Sequence, residues 1–409
     1  MAGVYRPRHP ERTVLYRVLS HHFEQFLAEY EDRFEREYGF FRPIVKEVVE
    51  KYLDCGNPKC GFARIRCPDC AEERLVMFSC RTRGFCPSCH AKRVEEWGEW
   101  MRETLLLDVP HRQVVFTIPK MLRIFFKFKR RLLGDLCRCA LRALTRYFEV
   151  LTESALTPGV IAAIQTFGDR INLHVHLHFL VTEGGVDEAG VFHKIPQIDD
   201  SRLAEIFARE VLSFLVSREL LIPEWAERIL SWPHTGFNVH SLVRTKTKIE
   251  AERVGKYILR PVLALERLTF LEPEGKVGYR YGENGAEQEV MDYLELIARV
   301  TSHIPDKGQV MVRYYGLYAN AHRGKVKKAS LGPLAFRMAE VEIRRIPSKG
   351  WAALIRKPHI GLRSAAMIRK VYEVDPKLCP NSEASSRTAK RCPKCGSLAV
   401  LIASMSGAR

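Results

Sequence analysis

The run from Asn172 to Val181 constrains the fold of this chain most strongly, because histidines and apolar residues alternate in it without interruption. Successive side chains of a β-strand point to opposite faces. One face would therefore carry three histidines: His174, His176 and His178. The other face would be apolar and meet a hydrophobic core, with Leu173, Val175, Leu177 and Phe179. Imidazoles spaced about 6–7 Å apart along a strand suit two of them to one divalent ion. The alternative is a half-buried strand whose histidines are solvent-facing polar positions.

A second predicted strand, 160–167, precedes the histidine run and is joined to it by a turn at Gly168–Arg170. A hairpin about this turn would place Gln165 beside His176. An amide oxygen with two imidazoles would suit Mg²⁺ or Mn²⁺ and leave positions open for a phosphate. His240 is a weaker candidate for the third ligand. Zinc hydrolases also use histidine pairs on strands, but they add a general base and carboxylate ligands that are not well placed here.

The cysteines are clustered, since seven of the twelve lie between Cys55 and Cys89. Two C-x2-C pairs, Cys67–Cys70 and Cys86–Cys89, are separated by 15 residues. Two such pairs are typical of one tetrahedral zinc site with four thiolates, which has a structural role because no position stays open for chemistry.

Other cysteines leave alternatives open. A second zinc site could use Cys55, Cys60 and Cys80 with a histidine, either His22 or His90, although each thiol could equally be a free buried cysteine. Cys137 and Cys139 lie in an apolar stretch and are expected in the core. The C-terminal pair, Cys392 and Cys395, would need two further ligands, one of which could be Cys379.

The charge balance indicates a polyanionic partner. The chain has 65 Lys+Arg against 48 Asp+Glu, a net charge of +17, and a pI near 9.4. Nine of the basic residues lie between Pro119 and Phe148, beside a single acid, Asp135. Nucleic acid is favoured over a membrane surface, because no basic amphipathic anchor is present. No apolar run approaches the roughly 18 residues of a membrane span, and the N-terminus lacks a signal segment, so we expect a cytoplasmic protein.

Hydrophobic periodicity predicts a mixed helical and antiparallel chain. Predicted helices cover two segments within 13–53, and then 91–107, 119–148, 201–220, 249–260 and 288–301. Further predicted strands are 62–66, 75–78, 112–118 and 237–243, with a hairpin over 268–289. A composition shift after Asp375 indicates a flexible linker into the tail.

In combination, these motifs resemble bacterial insertion-sequence transposases of the IS91 type. Those enzymes use rolling-circle-like HUH chemistry, named for two histidines that flank one apolar residue, and carry an N-terminal zinc-binding domain. The matching segments run through most of residues 15–325 and are Cys55–Gly56, Gly61–Cys70, Phe78–Cys89, Gln165–Gly168, Asn172–His178, Lys256–Ala264 and Tyr314–Arg323.

The resemblance implies that His176 and His178 hold the catalytic metal and that Tyr257 is the nucleophile. Helical periodicity alone favours a buried-face tyrosine at that position. Some relatives have a second tyrosine four residues earlier, where this chain has Arg253, so the resemblance is to a single-tyrosine version. His22 also matches a histidine of the zinc-binding region.

The predicted DNA contacts are basic residues near the nucleophile, in the 119–146 segment and in the 313–323 segment. They are Lys256, Arg260, Lys127, Lys129, Arg130, Arg131, Arg313 and Arg323. Tyr314, Tyr315 and Tyr318 could stack on bases or belong to the core.

The fold implied is α+β: an antiparallel HUH-endonuclease sheet flanked by helices, ferredoxin- or RRM-like, after a helical zinc-binding domain. We expect a DNA-binding domain over 1–107, a catalytic domain over 108–330 and a helical tail over 331–409. The implied function is a transposase that cleaves and rejoins single-stranded DNA through a 5′-phosphotyrosine, with structural Zn²⁺ and catalytic Mg²⁺ or Mn²⁺. It would act in the bacterial cytoplasm near the nucleoid, with a homodimer as one possibility. The alternatives are a replication initiator or relaxase with the same chemistry, a zinc-dependent nucleic-acid-binding regulator, and a metal-dependent hydrolase.

Overall fold

The N-terminal part of the chain is helical. The computed structural model describes residues 9–66, 73–82, 84–152, 154–195, 197–329 and 400–406. It begins with α1 (Val14–Arg33), α2 (Glu35–Tyr38) and α3 (Pro43–Leu53). Thr13 caps α1 by accepting a hydrogen bond from the Tyr16 backbone, and Pro43 opens α3, where a missing N–H leaves no bond unmade. The two helices predicted within 13–53 are confirmed.

A hairpin and a long helix follow, in the segment that also contains Cys60, Cys80, Cys86 and Cys89. The hairpin consists of β1 (Gly61–Arg66) and β2 (Glu73–Met77), which pair antiparallel. Helix α4 (Pro87–Trp100) begins directly after Cys86 and continues into a π-helical turn over Met101–Leu105. The helix predicted over 91–107 is therefore confirmed and begins earlier than expected.

The rest of the chain alternates strands and helices. In order these are β3 (His111–Thr117), α5 (Arg123–Phe128), α6 (Leu132–Thr152), β4 (Gly159–Phe167), β5 (Leu173–Thr182), β6 (Gly184–Val186), β7 (Phe192–Lys194), α7 (Asp200–Ser217), α8 (Pro223–Leu230), β8 (Asn238–His240), β9 (Arg244–Thr245) and α9 (Lys248–Ile258). They are followed by β10 (Leu268–Leu271), β11 (Lys276–Tyr281), β12 (Glu287–Asp292), α10 (Tyr293–Ser302), β13 (Val312–Gly316), α11 (Asn320–Ala329) and β14 (Val400–Ser406).

Four predicted elements differ from the structure in detail. The basic helix predicted over 119–148 is interrupted between α5 and α6, the strand predicted over 237–243 is split into β8 and β9, and the hairpin predicted over 268–289 is a meander of three strands. A helix was predicted over 288–301, but the first residues of this range belong to β12, and α10 begins at Tyr293.

One antiparallel sheet forms the centre of the molecule. Its strand order is β13-β4-β5-β3-β8, and β9 pairs with β3 as well. Helices α6 and α7 cover one face, where Val175, Leu177 and Phe179 are fully buried. Helix α4, the π-helical turn and α9 cover part of the opposite face. The predicted antiparallel sheet flanked by helices is confirmed.

A second core joins the N-terminal helices to α10 and the β10–β12 meander. Leu15 and Phe23 of α1 pack in one cluster with Leu294 and Ile297 of α10, and the β10–β12 meander contributes to the same cluster. Residues before and after position 107 thus share a hydrophobic core. The expected boundary at 107 does not separate two independently packed parts, so the division of functions along the chain stays a prediction.

The end of the chain returns to the N-terminal hairpin. Strand β14 pairs antiparallel with β1, on the edge that β2 leaves open. An unpaired strand edge favours such an addition, because its backbone groups need hydrogen-bond partners. A helical tail was expected over 331–409; of this range the structure describes 400–406, and those residues form a strand. Cys379, Cys392 and Cys395 lie outside the described residues.

Candidate active site

The histidine face is built as strand alternation predicts. His176 and His178 of β5 are 6% and 7% exposed, while Val175, between His174 and His176, is buried in the opposite core. The ring centroids of His176 and His178 lie 4.8 Å apart. Two neutral imidazoles this close on one face can bind one divalent ion.

Gln165 completes the set of candidate ligands. It pairs directly with His176 across β4 and β5, as the hairpin predicts. Its Nε2 donates to the carbonyl of Ile258 at 2.5 Å. Its Oε1 is buried and has no hydrogen-bond partner among the described residues, and the same is true of His178 Nε2. A buried acceptor is costly to leave unpaired, so these two atoms fit a site that receives a cation.

The hydrogen bond at the other ring nitrogen of His176 favours metal binding through its Nε2. His176 Nδ1 donates to the backbone oxygen of His174 at 2.8 Å, so its Nε2 carries the lone pair. His178 Nδ1 lies 3.0 Å from Nε2 of Gln113. A 180° flip of this amide, which exchanges its oxygen and nitrogen, would make Nδ1 the donor and leave the lone pair on Nε2, the tautomer typical of metal-binding histidines. The sequence analysis did not single out Gln113.

Burial keeps these imidazoles uncharged at neutral pH. It lowers the pKa of His176 to about 4 and that of His178 to about 3, with a smaller contribution from the positive charge of Arg260. Only the neutral imidazole binds a metal ion, so the site is ready to do so well below pH 7.

The other two histidines considered lie apart from this ligand set. His174 directs its Nδ1 to Nδ1 of His176 at 3.1 Å, on the side away from Nε2. His240 shares the face but is exposed, and β3 separates it from His178, since both residues pair with Val115. One intervening strand puts it about 10 Å from His178.

Tyr257 lies at the C-terminal end of α9, close to Gln165. Its side chain is 58% exposed, whereas Ala251, Gly255 and Ile258 form the buried face of the helix. The buried-face position that periodicity favours is therefore wrong. The next residue, Ile258, offers its carbonyl to Gln165, and the Arg260 guanidinium lies 5.8 Å from the centroid of the Tyr257 ring. The phenol is accessible, and Arg260 lies near its ring and also within electrostatic reach of His176.

Four thiols form a separate cluster. The sulfurs of Cys55, Cys80, Cys86 and Cys89 all lie within 4.8 Å of one another. All four are free cysteines, with Sγ–Sγ distances such as 3.7 Å between Cys55 and Cys89. Four converging thiols fit a tetrahedral structural zinc site.

This cluster corrects the predicted grouping, because Cys86 and Cys89 meet Cys55 and Cys80. Cys80 follows the end of the β1–β2 hairpin at which Phe62 pairs with Met77. The Arg66–Glu73 pair lies at the other end, four residues or about 13 Å farther along the strand. Cys67 and Cys70 themselves lie outside the described residues.

The other predicted zinc ligands lie elsewhere. Cys60 is not part of the four-thiol cluster. The ring of His22 packs on Tyr293, with centroids 4.5 Å apart. His90 uses both ring nitrogens in hydrogen bonds, to Gly84 and to Leu259.

Comparisons with known proteins match the chain to transposases with a zinc-binding domain. A transposase zinc-binding domain model, Zn_Tnp_IS91, matches residues 22–118, and the Y2_Tnp model, described as "Putative transposase", matches residues 159–325. The chain is 28% identical over 323 residues to the "Transposase for insertion sequence element IS801" of Pseudomonas savastanoi pv. phaseolicola, which covers 73% of this chain and 78% of that protein. The chain is a transposase of the IS91/IS801 family. It is also 26% identical over 283 residues to "Putative transposase y4qJ" of Sinorhizobium fredii, covering 63% and 70% of the two chains. No solved structure matches it.

As a transposase, the chain is a DNA-cleaving and strand-transferring enzyme with a zinc-binding domain, and DNA accounts for its net charge of +17. Among the described residues, no helix is both long and apolar enough to cross a membrane.

Some of the predicted DNA contacts of the transposase are exposed in the structure, and others contact protein groups. Lys129 and Arg131 are exposed. Lys127 lies over the rings of Tyr38 and Phe128, and the Arg323 guanidinium lies 5.3 Å from the Trp100 ring centroid. Arg260 is near both Tyr257 and the histidines.

Arg260 has one acidic partner, Asp169, at 3.4 Å, and three other predicted contacts are held more firmly by protein groups. Lys256 contacts Glu95 at 2.6 Å and Glu252 at 2.8 Å, so two carboxylates compensate its charge. Arg130 donates to the backbone oxygens of Ser302 and Ile304 at the end of α10, and Arg313 lies against Gly134 of α6. Each would reach a phosphate only by giving up these contacts.

Aromatic residues of the 314–318 segment belong to the packing of the transposase. Tyr314 accepts a hydrogen bond from Trp97 Nε1 at 2.6 Å, and Tyr318 is 1% exposed. Arg123, by contrast, is a basic residue that the predicted set lacks. Burial lowers the pKa of His176 most, and the charges of Arg260 and Arg123 lower it further. Arg123 is therefore within electrostatic reach of the site.

Proposed function

We propose that this transposase cleaves and rejoins single-stranded DNA through a covalent bond to Tyr257. The observation that carries the proposal is the contact between Gln165 and the carbonyl of Ile258. It joins the candidate metal ligands on β4 and β5 to the residue that follows the exposed tyrosine. A single hydrogen-bonded unit therefore presents nucleophile and ligands together.

The proposed reaction is a transesterification. The Tyr257 oxygen forms a bond to the scissile phosphorus as its proton leaves, and the bond from phosphorus to the 3′-oxygen breaks. The leaving 3′-oxygen takes up a proton, so the products are a 5′-phosphotyrosine and a free 3′-OH. The phosphodiester energy is conserved for rejoining, when the 3′-OH of a target strand attacks the same phosphorus.

The surrounding residues support phosphate binding. His176, His178 and Gln165 would hold Mg²⁺ or Mn²⁺, which when bound supplies Lewis-acid polarisation of a phosphate oxygen. Arg260 and Arg123 add positive charge beside the histidines. A single-stranded substrate is what the family resemblance implies.

The chain offers one tyrosine at this position, since Arg253 stands four residues earlier. Joining two DNA ends then requires either reuse of Tyr257 or a second copy of the chain. We assign DNA recognition to residues 1–107, chemistry to 108–330 and no separate activity to the tail, with action at the bacterial nucleoid.

Adduct formation tests the proposal. The full chain is incubated with Mn²⁺ and 3′-end-labelled single-stranded DNA from the ends of the surrounding element, then denatured and separated by size. We expect a labelled protein band that is lost in Tyr257→Phe and kept in the control Tyr281→Phe. His176→Ala should weaken the band on the order of 100-fold or more.

Other outcomes would favour the competing functions. A band that persists in Tyr257→Phe would contradict the assignment of the nucleophile. Cleaved DNA without a protein adduct would indicate a hydrolase, and binding without cleavage would indicate a regulator.

A further inference from the structure

Side chains from outside α9 hold two successive carbonyls at its C-terminal end. Gln165 Nε2 donates to the oxygen of Ile258 at 2.5 Å, and His90 Nε2 donates to the oxygen of Leu259 at 2.5 Å. The last carbonyls of a helix lack partners within the helix, so such donors fix where the helix ends. Tyr257 directly precedes Ile258 and Leu259, the two residues that carry these carbonyls.

The orientation of His90 is determined by its own contacts. The backbone N–H of Gly84 donates to His90 Nδ1 at 3.2 Å, so Nδ1 carries the lone pair and Nε2 carries the proton. His90 also follows Cys89, a member of the four-thiol cluster, and lies in the first turn of α4. The imidazole thus points from the cluster to the end of α9.

Further along, α4 and α9 are packed too closely to slide freely. Glu95 of α4 contacts Lys256 of α9 at 2.6 Å. Gly255 lies under Trp97 and Met101, and a Cβ atom at this position would come within 2.7 Å of the Met101 side chain. A shift at the start of α4 would therefore be transmitted to α9.

The Tyr257 side chain has little else to hold it. It is 58% exposed, and its described side-chain contact is with the guanidinium of Arg260. The direction of the phenol consequently depends on the backbone at the end of α9, which is where Gln165 and His90 bind.

We propose that His90 is a positioning residue for Tyr257, which couples the four-thiol zinc site to the nucleophile through the carbonyl of Leu259. This inference rests on the proposed function of Tyr257. The thiol cluster fixes the start of α4, and His90 links this start to the last turn of α9 by a hydrogen bond. Gln165, on the central sheet, fixes the same turn by a second hydrogen bond. The zinc-binding part of the chain then contributes directly to the geometry of the reaction.

Two substitutions separate the hydrogen bond from the bulk of the side chain. His90→Leu keeps a side chain of similar size and removes the donor, whereas His90→Gln keeps an N–H at a comparable reach. His21→Leu, at an exposed position of α1, is the matched control. The measurements on the full chain are zinc content, single-stranded DNA affinity, hydrogen exchange of a peptide covering residues 256–260, and the single-turnover rate of adduct formation.

We expect His90→Leu to keep its zinc and its DNA affinity but to form the adduct roughly 10- to 100-fold more slowly, because small displacements of a reacting group have effects of this size. Exchange in 256–260 should be faster. His90→Gln should recover most of the rate and of the protection from exchange, and His21→Leu should match the unsubstituted chain.

Several results would overturn the inference. A normal rate and normal exchange in His90→Leu would show that the Leu259 contact positions nothing. A rate in His90→Gln as low as in His90→Leu, or loss of zinc in His90→Leu, would make His90 a folding residue of the zinc site. Absence of an adduct in the unsubstituted chain would count against the proposed function, while the exchange measurement would still decide the role of His90.

Discussion

The turn that aligns Gln165 with His176 depends on His303, and this dependence predicts a measurable response to acid. His303 is 4% exposed. Its Nε2 donates to the backbone oxygen of Ile171 at 2.9 Å, and its Nδ1 lies 3.0 Å from the hydroxyl of Thr166. Ile171 has a φ of +59°, a strained conformation for a β-branched residue, so the bond from His303 helps to hold the turn between β4 and β5.

The size of the effect follows from the pKa of His303. Burial lowers this pKa to about 4, while a histidine in the unfolded chain has a pKa of about 6.5. Between these values the unfolded chain binds more protons than the native protein. The free energy of unfolding therefore falls as the pH drops below about 6.5, and this loss levels off below about 4. At about pH 5.5 the contribution of this one histidine is a loss of about 1.4 kcal/mol relative to pH 8.

A comparison with His303→Gln isolates this contribution. Glutamine can donate to Ile171 without titrating, and acid effects on the thiol cluster and on other buried histidines are common to both proteins. Urea unfolding at pH 8 and 5.5, followed by tryptophan fluorescence, should show a loss about 1.4 kcal/mol smaller in the variant. Equal losses in the two proteins would refute the reasoning, because they would mean that His303 is not held neutral.

Three further predictions concern the sites. Gln113→Leu should weaken Mn²⁺ binding about 10- to 100-fold by freeing the His178 ring, as measured by calorimetry, and unchanged affinity would show that the amide does not orient it. Arg260→Met should reduce single-stranded DNA affinity and its salt dependence in a fluorescence assay, whereas Lys256→Met should change them less because Glu95 and Glu252 already neutralise that lysine, and the reverse order would contradict the contacts described. Cys80→Ser should lower zinc content by metal analysis and destabilise the N-terminal part, and full zinc retention would exclude Cys80 as a ligand.

The sequence predicted the histidine face well because its pattern has only one structural solution. A period of two between imidazoles and apolar residues requires a strand with a core on one side. A short turn then fixes the register of the neighbouring strand, so the Gln165–His176 pair follows. The strained Ile171 was not predictable, since no local pattern indicates a left-handed conformation at a β-branched residue.

The cysteine grouping failed for a physical reason as well. A C-x2-C pair shows that two thiols can face one ion, but it does not show which distant thiols complete the site. Cys55 and Cys80 reach Cys86 and Cys89 because the end of α3 and the end of the β1–β2 hairpin meet at the start of α4, as the backbone bond from Gly56 to Phe78 shows. That meeting is a property of the tertiary structure. The same is true of Lys256, whose partner Glu95 is 161 residues away.

Residues that orient the reacting groups are the hardest to find in a sequence, because each acts through one hydrogen bond and has no motif. Gln113 reaches His178 over 65 positions of the chain, and His90 reaches Leu259 over 169. An unpatterned glutamine and a histidine beside a metal ligand look ordinary in isolation. Their roles can be inferred only from the structure, in which Gln113 contacts the candidate ligand His178 and His90 contacts Leu259 near the proposed nucleophile. In this transposase the proposed positioning residues therefore lie in the zinc-binding segment and on the central sheet, whereas the residues proposed to perform the chemistry lie on β4, β5 and α9.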